Sequence, residues 1–195
     1  MIATIQQILE FWFGPEAIAD PSQMQERKAW FRKDSAFDQT IRDRFLTTYQ
    51  AAAAGKLDHW QSSPTGCLAL LIVLDQFSRN MFRHSPLAFA TDEQARAIAK
   101  SAIAQGWDRT LHPIQRIFFY LPLEHSEQLS DQHQSMACYR ALVAEQPSLS
   151  NTAEYALQHL KVIEQFGRFP HRNAILGRES TPAELAFLQQ PGSSF

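Results

Sequence analysis

An all-α fold, one compact domain of helical hairpins over residues 1–195, is predicted by three features of the sequence. Apolar residues recur at i, i+3, i+4 and i+7 in segment after segment, the period that gathers them on one helical face. Glycine or proline closes most of these segments, where a helix has to stop. No run alternates apolar with polar residues and no Asn-Gly turn joins two apolar runs, so nothing points to strands.

Each element follows from local chemistry. Ile5, Ile8, Leu9, Trp12 and Phe13 share a face before Gly14-Pro15 ends the first helix. A second is expected over residues 22 to 32, with Ser22 as its cap and Trp30-Phe31 near its end. Asp34 caps a third, in which Phe37, Ile41, Phe45 and Tyr49 keep to one side and Gly55 closes the helix. Residues 65 to 82 contain CLALLIVLDQFSRNMF, apolar nearly all round in its first half, the mark of a central helix buried on several sides. Thr91 and Gln94 form a capping box for a helix through Ala104 that stops at Gly106. Pro113 opens IQRIFFYL at a first-turn position, and Pro122 breaks or kinks it. Ser130 caps a helix to about Glu145, and Asn151 or Thr152 opens another through Gln165 that ends at Gly167. Thr181 and Glu184 make a further capping box, for a short last helix before Pro191 and an apolar terminus at Phe195. The total is about eight to ten helices joined by short turns, a bundle or a stack of helical hairpins. No residue signature recurs at roughly 30 to 45 residues, and no linker or low-complexity run divides the chain.

Composition narrows the function classes. A net charge of −2 supplies no broad positive field, which disfavours nucleic acid as a partner. The start, MIATIQQILEFWF, lacks the basic region and small-residue cleavage site of a signal peptide, and no long uncharged apolar run is present. Cys67 and Cys138 sit in apolar contexts without ligand spacing, so the expected address is the cytoplasm, with both thiols reduced and no membrane partner.

Three polar islands stand out. Asp75, Arg79, Arg83, Gln76 and Asn80 fall within an arc of about 140° on the central helix at about 100° per residue, a polar stripe on a greasy element. They either face a cavity or mark a helix end in water, where an Asp75/Arg79 pair contributes only about 0.3–0.5 kcal/mol. In YLPLEHSEQLSDQH, residues 120 to 133, Glu124, Glu127, Gln128 and Asp131 can line one helical face with His125 off it. A carboxylate beside a histidine suits acid/base chemistry in a dry pocket, and acids also suit the first turn of a helix after Pro122. The third island is FGRFPHRNAILGR, residues 166 to 178, together with His159: Arg168, His171, Arg172, Asn173 and Arg178 lie among Phe166, Phe169, Ile175 and Leu176. Such a set binds a carboxylate or phosphate through bidentate hydrogen bonds, or clamps helix ends and pairs with Asp75, Glu124 or Glu127. His125, His133, His159 and His171 include no HExxH and no pair at i, i+4, and no GxSxG, P-loop or GxGxxG is present, so neither a metal nor a cofactor is expected.

The runs LDQFSRNMFR at 74 to 83, YLPLEHSE at 120 to 127, FGRFPHRNAILGR at 166 to 178 and ST-x-x-E at 180 to 184 resemble the bacterial family catalogued as domain of unknown function 924. ILEFWFG at 8 to 14 and WFRKD at 30 to 34 are similar to it too. The resemblance implies an all-helical, tetratricopeptide-like fold with no assigned reaction. Its motif positions here are Asp75, Gln76, Arg79 and Asn80, then Glu124, His125 and Glu127, then Arg168, His171, Arg172 and Asn173.

The expectation is that the three islands converge on one aromatic-lined pocket for a small polar or anionic molecule, held by Arg79, Arg168 and Arg172 with His125 or His171 nearby. Its enzymatic version is a hydrolase or lyase with Glu124 or Glu127 as base and a histidine, His125 or His171, as acid. Two other readings stand beside it: a hairpin scaffold that binds a peptide or protein along a concave face, and a purely structural charge network.

Overall fold

The structure is a computed structural model that describes residues 1–193, so the apolar terminus expected at Phe195 lies outside the described residues. Every regular element among them is helical, as expected. The chain divides into two compact units, one of Met1–Arg83 with Leu87–Leu123 and one of His84–Pro86 with the chain from Glu124 onward.

In the first unit α1 (Ile5–Phe13) opens with a Thr4/Gln7 capping box and buries Ile8, Leu9, Trp12 and Phe13. α2 (Pro15–Ala19) follows directly. The helix expected over residues 22 to 32 does not form: two single 3₁₀ turns, Pro21–Gln23 and Lys28–Trp30, replace it, and Asp20 rather than Ser22 caps the first. Tertiary bonds outweigh local propensity there. Arg27 donates to the Phe11 and Trp12 carbonyls at 2.8 and 2.7 Å, and Trp30 Nε1 donates to the Trp12 carbonyl at 2.9 Å, which satisfies the open carbonyls at the end of α1. Trp12 is fully buried between Trp30, Phe37, Phe77 and Phe118, with ring centroids 5.5–6.2 Å apart. Burial of Phe77 or Phe118 contributes about 1.5–3 kcal/mol each.

α3 (Ser35–Ala53), capped by Asp34, lays Ile41, Phe45 and Tyr49 against this core. The central segment is a composite: α4 (Pro64–Leu71), a π-helical stretch Ile72–Phe77, then α5 (Ser78–Met81). Gly66 is required because a Cβ there would lie 2.0 Å from the Trp60 carbonyl oxygen. The wider π turns disturb the regular i→i−4 ladder, and side chains supply donors: Thr91 Oγ1 to the Leu74 carbonyl at 2.6 Å, Ser78 Oγ and Arg79 Nη1 to the Asp75 carbonyl at 3.1 and 2.8 Å. Thr91 therefore makes no side-chain cap for α6 (Asp92–Ala104), and the capping box expected with Gln94 is absent. α7 (Pro113–Glu124) runs two residues past Pro122 and stops at Glu124.

In the second unit α8 (Leu129–Glu145) and α9 (Ser150–Phe166) pack along each other as a hairpin. Both begin slightly ahead of the expected caps, since Gln128 and Leu149 occupy the cap positions. Gly167, left-handed at φ 69°, ends α9 by donating to the Ile163 carbonyl at 2.8 Å. α10 (Pro182–Leu188) carries the expected Thr181/Glu184 capping box. Val162, Ile163 and Phe169 form a core, flanked by Phe166 and Phe187.

Thr91→Val, which keeps the shape and removes the donor to Leu74, is expected to lower the unfolding free energy by about 1 kcal/mol. Urea unfolding checks this as a lower midpoint with an unchanged slope.

Candidate functional site

The second and third islands meet in the second unit. α7 ends at Glu124 and the chain crosses residues 125 to 128 without helical bonds before α8 begins. Glu124, Glu127, Gln128 and Asp131 therefore do not share one helical face, and only Asp131 occupies the first turn of a helix. α8 holds this crossing in place. Gln132 Nε2 donates to the Glu124 and Ser126 carbonyls at 2.6 and 2.7 Å, and Ser126 Oγ donates to Asp131 at 2.8 Å. The crossing in turn aims Glu124 and Glu127 at the segment after α9.

Glu127 organises that segment. One of its oxygens accepts the Phe169 N–H at 2.8 Å, and Arg178 donates to both oxygens at 2.7 and 2.9 Å. Burial alone would raise its carboxyl, but the hydrogen bonds from Arg178 and Phe169 outweigh it and hold the group below the ordinary value. Arg178 also donates to the Phe169 carbonyl and to Asn173 Oδ1, and Asn173 Nδ2 donates to Ser180. Arg168 forms a fork to Glu184 at 2.6 and 2.8 Å and donates to the Glu179 carbonyl. With these bonds and the Thr181 N–H, Glu184 is held at about 2. Of the expected ligand residues, Arg168 and Asn173 thus bond to the protein itself and fix the loop.

The rest of the set surrounds Phe169, which is fully buried. The His159 and His171 rings each lie 5.6 Å from it, the Arg172 guanidinium stands 4.4 Å over its face, and His125 lies 6.3 Å from His159. His159 Nδ1 is 2.9 Å from the Tyr155 carbonyl and 3.1 Å from Glu124 Oε1. Burial is the largest cause that pushes His159 down to about 3, with the fields of His125, Arg172 and His171 adding to it. Burial and then Arg172 push His171 down to about 4. Both rings are therefore neutral at pH 7. His159, Glu124 and Arg172 are buried, while His125 and His171 are half-buried and reach the surface. Among the described residues no three His, Cys, Asp or Glu side chains are grouped to hold a metal ion.

The first island lies in the first unit. Arg79 bridges Asp75 at 3.1 Å and both oxygens of Asp92 at 3.0 Å, and Gln76 donates to Asp75 at 2.6 Å. Asn80 and Arg83 both donate to Asp38, which the sequence stripe did not reveal because that partner sits on another helix. The π stretch also breaks the even 100° advance on which the stripe was drawn. Two surface hollows of this unit, one lined by Phe13, Glu16 and Arg27 and one by Ile2, Leu57 and Trp60, include none of the expected residues.

Over residues 8–192 the chain matches the family described as bacterial protein of unknown function, DUF924, and it belongs to that family. It is similar to a solved structure of a protein of unknown function from Agrobacterium tumefaciens, at 39% identity and a TM-score of 0.80, covering 95% of this chain and 96% of that one. No protein with a curated description matches the chain.

The low values of His159 and His171 set a pH signature. A neutral histidine in the folded state against one near 6.5 in the unfolded chain costs nothing above pH 6.5, and stability falls as pH drops from there toward about 4 for His171 and about 3 for His159. The slope is about 1.4 kcal/mol per pH unit for each such histidine. His112 of the first unit, also lowered by burial, adds to the wild-type slope and cancels in a comparison. His171→Gln is expected to flatten the fall in unfolding free energy between about pH 6 and pH 5 by about that amount, measured by denaturant titrations at each pH.

Proposed function

We propose that the protein binds a small polar or anionic molecule at the Phe169 cluster, with Arg172, His171 and His125 as its contacts. The observation that carries this reading is the gathering of two imidazoles and a guanidinium around one aromatic ring, with a third imidazole, His125, 6.3 Å from His159; burial and positive neighbours hold His159 and His171 neutral. The nearby Glu127 is committed to Arg178 and the Phe169 amide. A guanidinium and imidazole N–H groups suit an anion placed beside them, and the half-buried His125 and His171 give it a way in. Asp75, Gln76, Arg79 and Asn80 drop out of this reading because their hydrogen bonds run to one another and to Asp38 and Asp92.

The 3.1 Å contact between Glu124 and His159 gives the enzymatic reading its best pair. His159 at about 3 and His171 at about 4 carry no imidazolium proton to donate at pH 7, which counts against either of these two as the acid of a hydrolase or lyase. The tetratricopeptide-like scaffold reading has the α8–α9 hairpin in its favour, but its peptide would meet the exposed faces rather than this cluster. A cytoplasmic setting belongs to the same proposal, since Cys67 and Cys138 are both free thiols.

A panel of small carboxylates and phosphates is expected to contain members that raise the thermal midpoint, by the equivalent of about 2.7 kcal/mol at a hundred times Kd. Arg172→Gln, confirmed helical by circular dichroism, is expected to remove that shift, and Arg79→Gln to keep it. A panel without effect, or a shift that survives Arg172→Gln, contradicts the proposal.

A further inference from the structure

We infer that His112 is a pH-gated cap of α7: its neutral ring accepts the Ile114 N–H and closes the first turn of the helix, and its protonation releases that turn. The sequence sets the position. A residue before proline is biased toward extended backbone, the conformation of an N-cap, and Pro113, with its fixed φ and no N–H, begins the helix. Ile114 therefore carries the first N–H of α7. His112 Nδ1 accepts it at 3.3 Å, and Gln115 Oε1 accepts the His112 N–H in return at 3.2 Å. The His112 carbonyl accepts the Gln115 and Arg116 N–H groups at 2.8 and 3.2 Å. This is the reciprocal arrangement of a capping box, with an imidazole where serine or threonine ordinarily stands. All three amides of the first turn end on His112.

What separates this cap from serine is that its acceptor titrates. A backbone N–H can only donate, so the Nδ1 that receives it is bare and the ring proton sits on Nε2. The next proton can go only to Nδ1, the atom that closes the turn. An imidazolium has two donors and no acceptor, so it meets the Ile114 N–H donor to donor, and its charge lies at the positive end of the helix dipole. Ile114 is buried, where an N–H that loses its partner is costly. Among the described residues no charged side chain from any element forms an ion pair or a hydrogen bond with the ring, so nothing offsets that charge. The charged groups nearest in sequence bond elsewhere or reach solvent. Asp108, in the 3₁₀ turn Asp108–Thr110 before the cap, accepts from the Tyr120 hydroxyl at 2.7 Å, Arg116 Nε donates to that hydroxyl at 3.2 Å, and Arg109 is exposed. Burial in addition holds the imidazole below its ordinary value of 6.5. The cap is therefore whole above pH 6.5 and is lost as pH falls from there through the lowered midpoint of the ring.

Nitrogen–proton NMR of the ring and amide exchange along the first turn test this on the wild-type chain. At about pH 7.5, above the range in which a histidine ordinarily titrates, the His112 ring is expected to hold its proton on Nε2 with Nδ1 bare. Below about pH 6.5 the exchange protection of the Ile114, Gln115 and Arg116 amides is expected to fall by up to about tenfold per pH unit, levelling off below the midpoint of the ring. That protection is read relative to the Phe45 amide of α3, in the same unit, so that a general loosening of the unit cancels. His112→Asn keeps a cap acceptor that does not titrate, and is expected to hold the first turn at about pH 7.5 and to abolish the fall. A ring that carries its proton on Nδ1 at about pH 7.5, or first-turn protection that stays flat relative to Phe45 as pH falls, overturns the inference without any variant having to fold. An undiminished fall in His112→Asn overturns it as well.

Discussion

The Glu127 carboxylate, which receives the Phe169 amide and both terminal nitrogens of Arg178, is the contact from which the rest of the second unit's polar structure follows. It sits in a short non-helical crossing that α8 pins through Gln132 and Asp131. Because Glu127 fixes the Phe169 backbone, the ring of Phe169 enters the core beside Val162 and Ile163, and His171 and Arg172 arrive packed against it. Arg178 carries the same constraint onward to Asn173 and Ser180, and Arg168 carries it to Glu184 and the start of α10. A segment with three arginines and a histidine is thereby tied to the protein's own acids through Arg168 and Arg178.

That division separates two uses of one cationic segment. Arg168 and Arg178 meet carboxylates in planar forks, the geometry for which guanidinium is suited and lysine is not. Arg172 stands instead over an aromatic face, 4.4 Å from the centre of the Phe169 ring. The first unit pairs its arginines with carboxylates as well. There the acids Asp75, Asp92 and Asp38 absorb Arg79, Arg83 and Asn80, and the π stretch that brings Asp75 into the core is supported by donors from Thr91, Ser78 and Arg79.

The helical class and most helix positions were legible because periodicity, glycine stops and caps such as Asp34 and Thr181 act locally. The failures share a cause. Residues 22 to 32 look helical by pattern, yet the Arg27 and Trp30 side chains gain more by closing the end of α1, a partner about 15 residues away. Thr91 looks like a cap, yet its hydroxyl meets a carbonyl freed by a π turn that no pattern announces. For the site, the sequence identified the residue types and missed their roles. Glu127, Arg168 and Asn173 were set beside His171 and Arg172 as one group, and what separates them is a choice of partner made across the fold. Phe169, the centre of the cluster, carried no signal of its own because a buried phenylalanine is ordinarily just core.

The most direct test of this account is a double-mutant cycle on Glu127 and Arg178, from the unfolding free energies of Glu127→Gln, Arg178→Gln and the double variant. If the pair templates the loop, the two changes are strongly non-additive, with a coupling energy of about 1–3 kcal/mol. Additive effects would contradict it, because they would mean that the loop keeps its shape without Glu127 and that the Phe169 cluster has another origin.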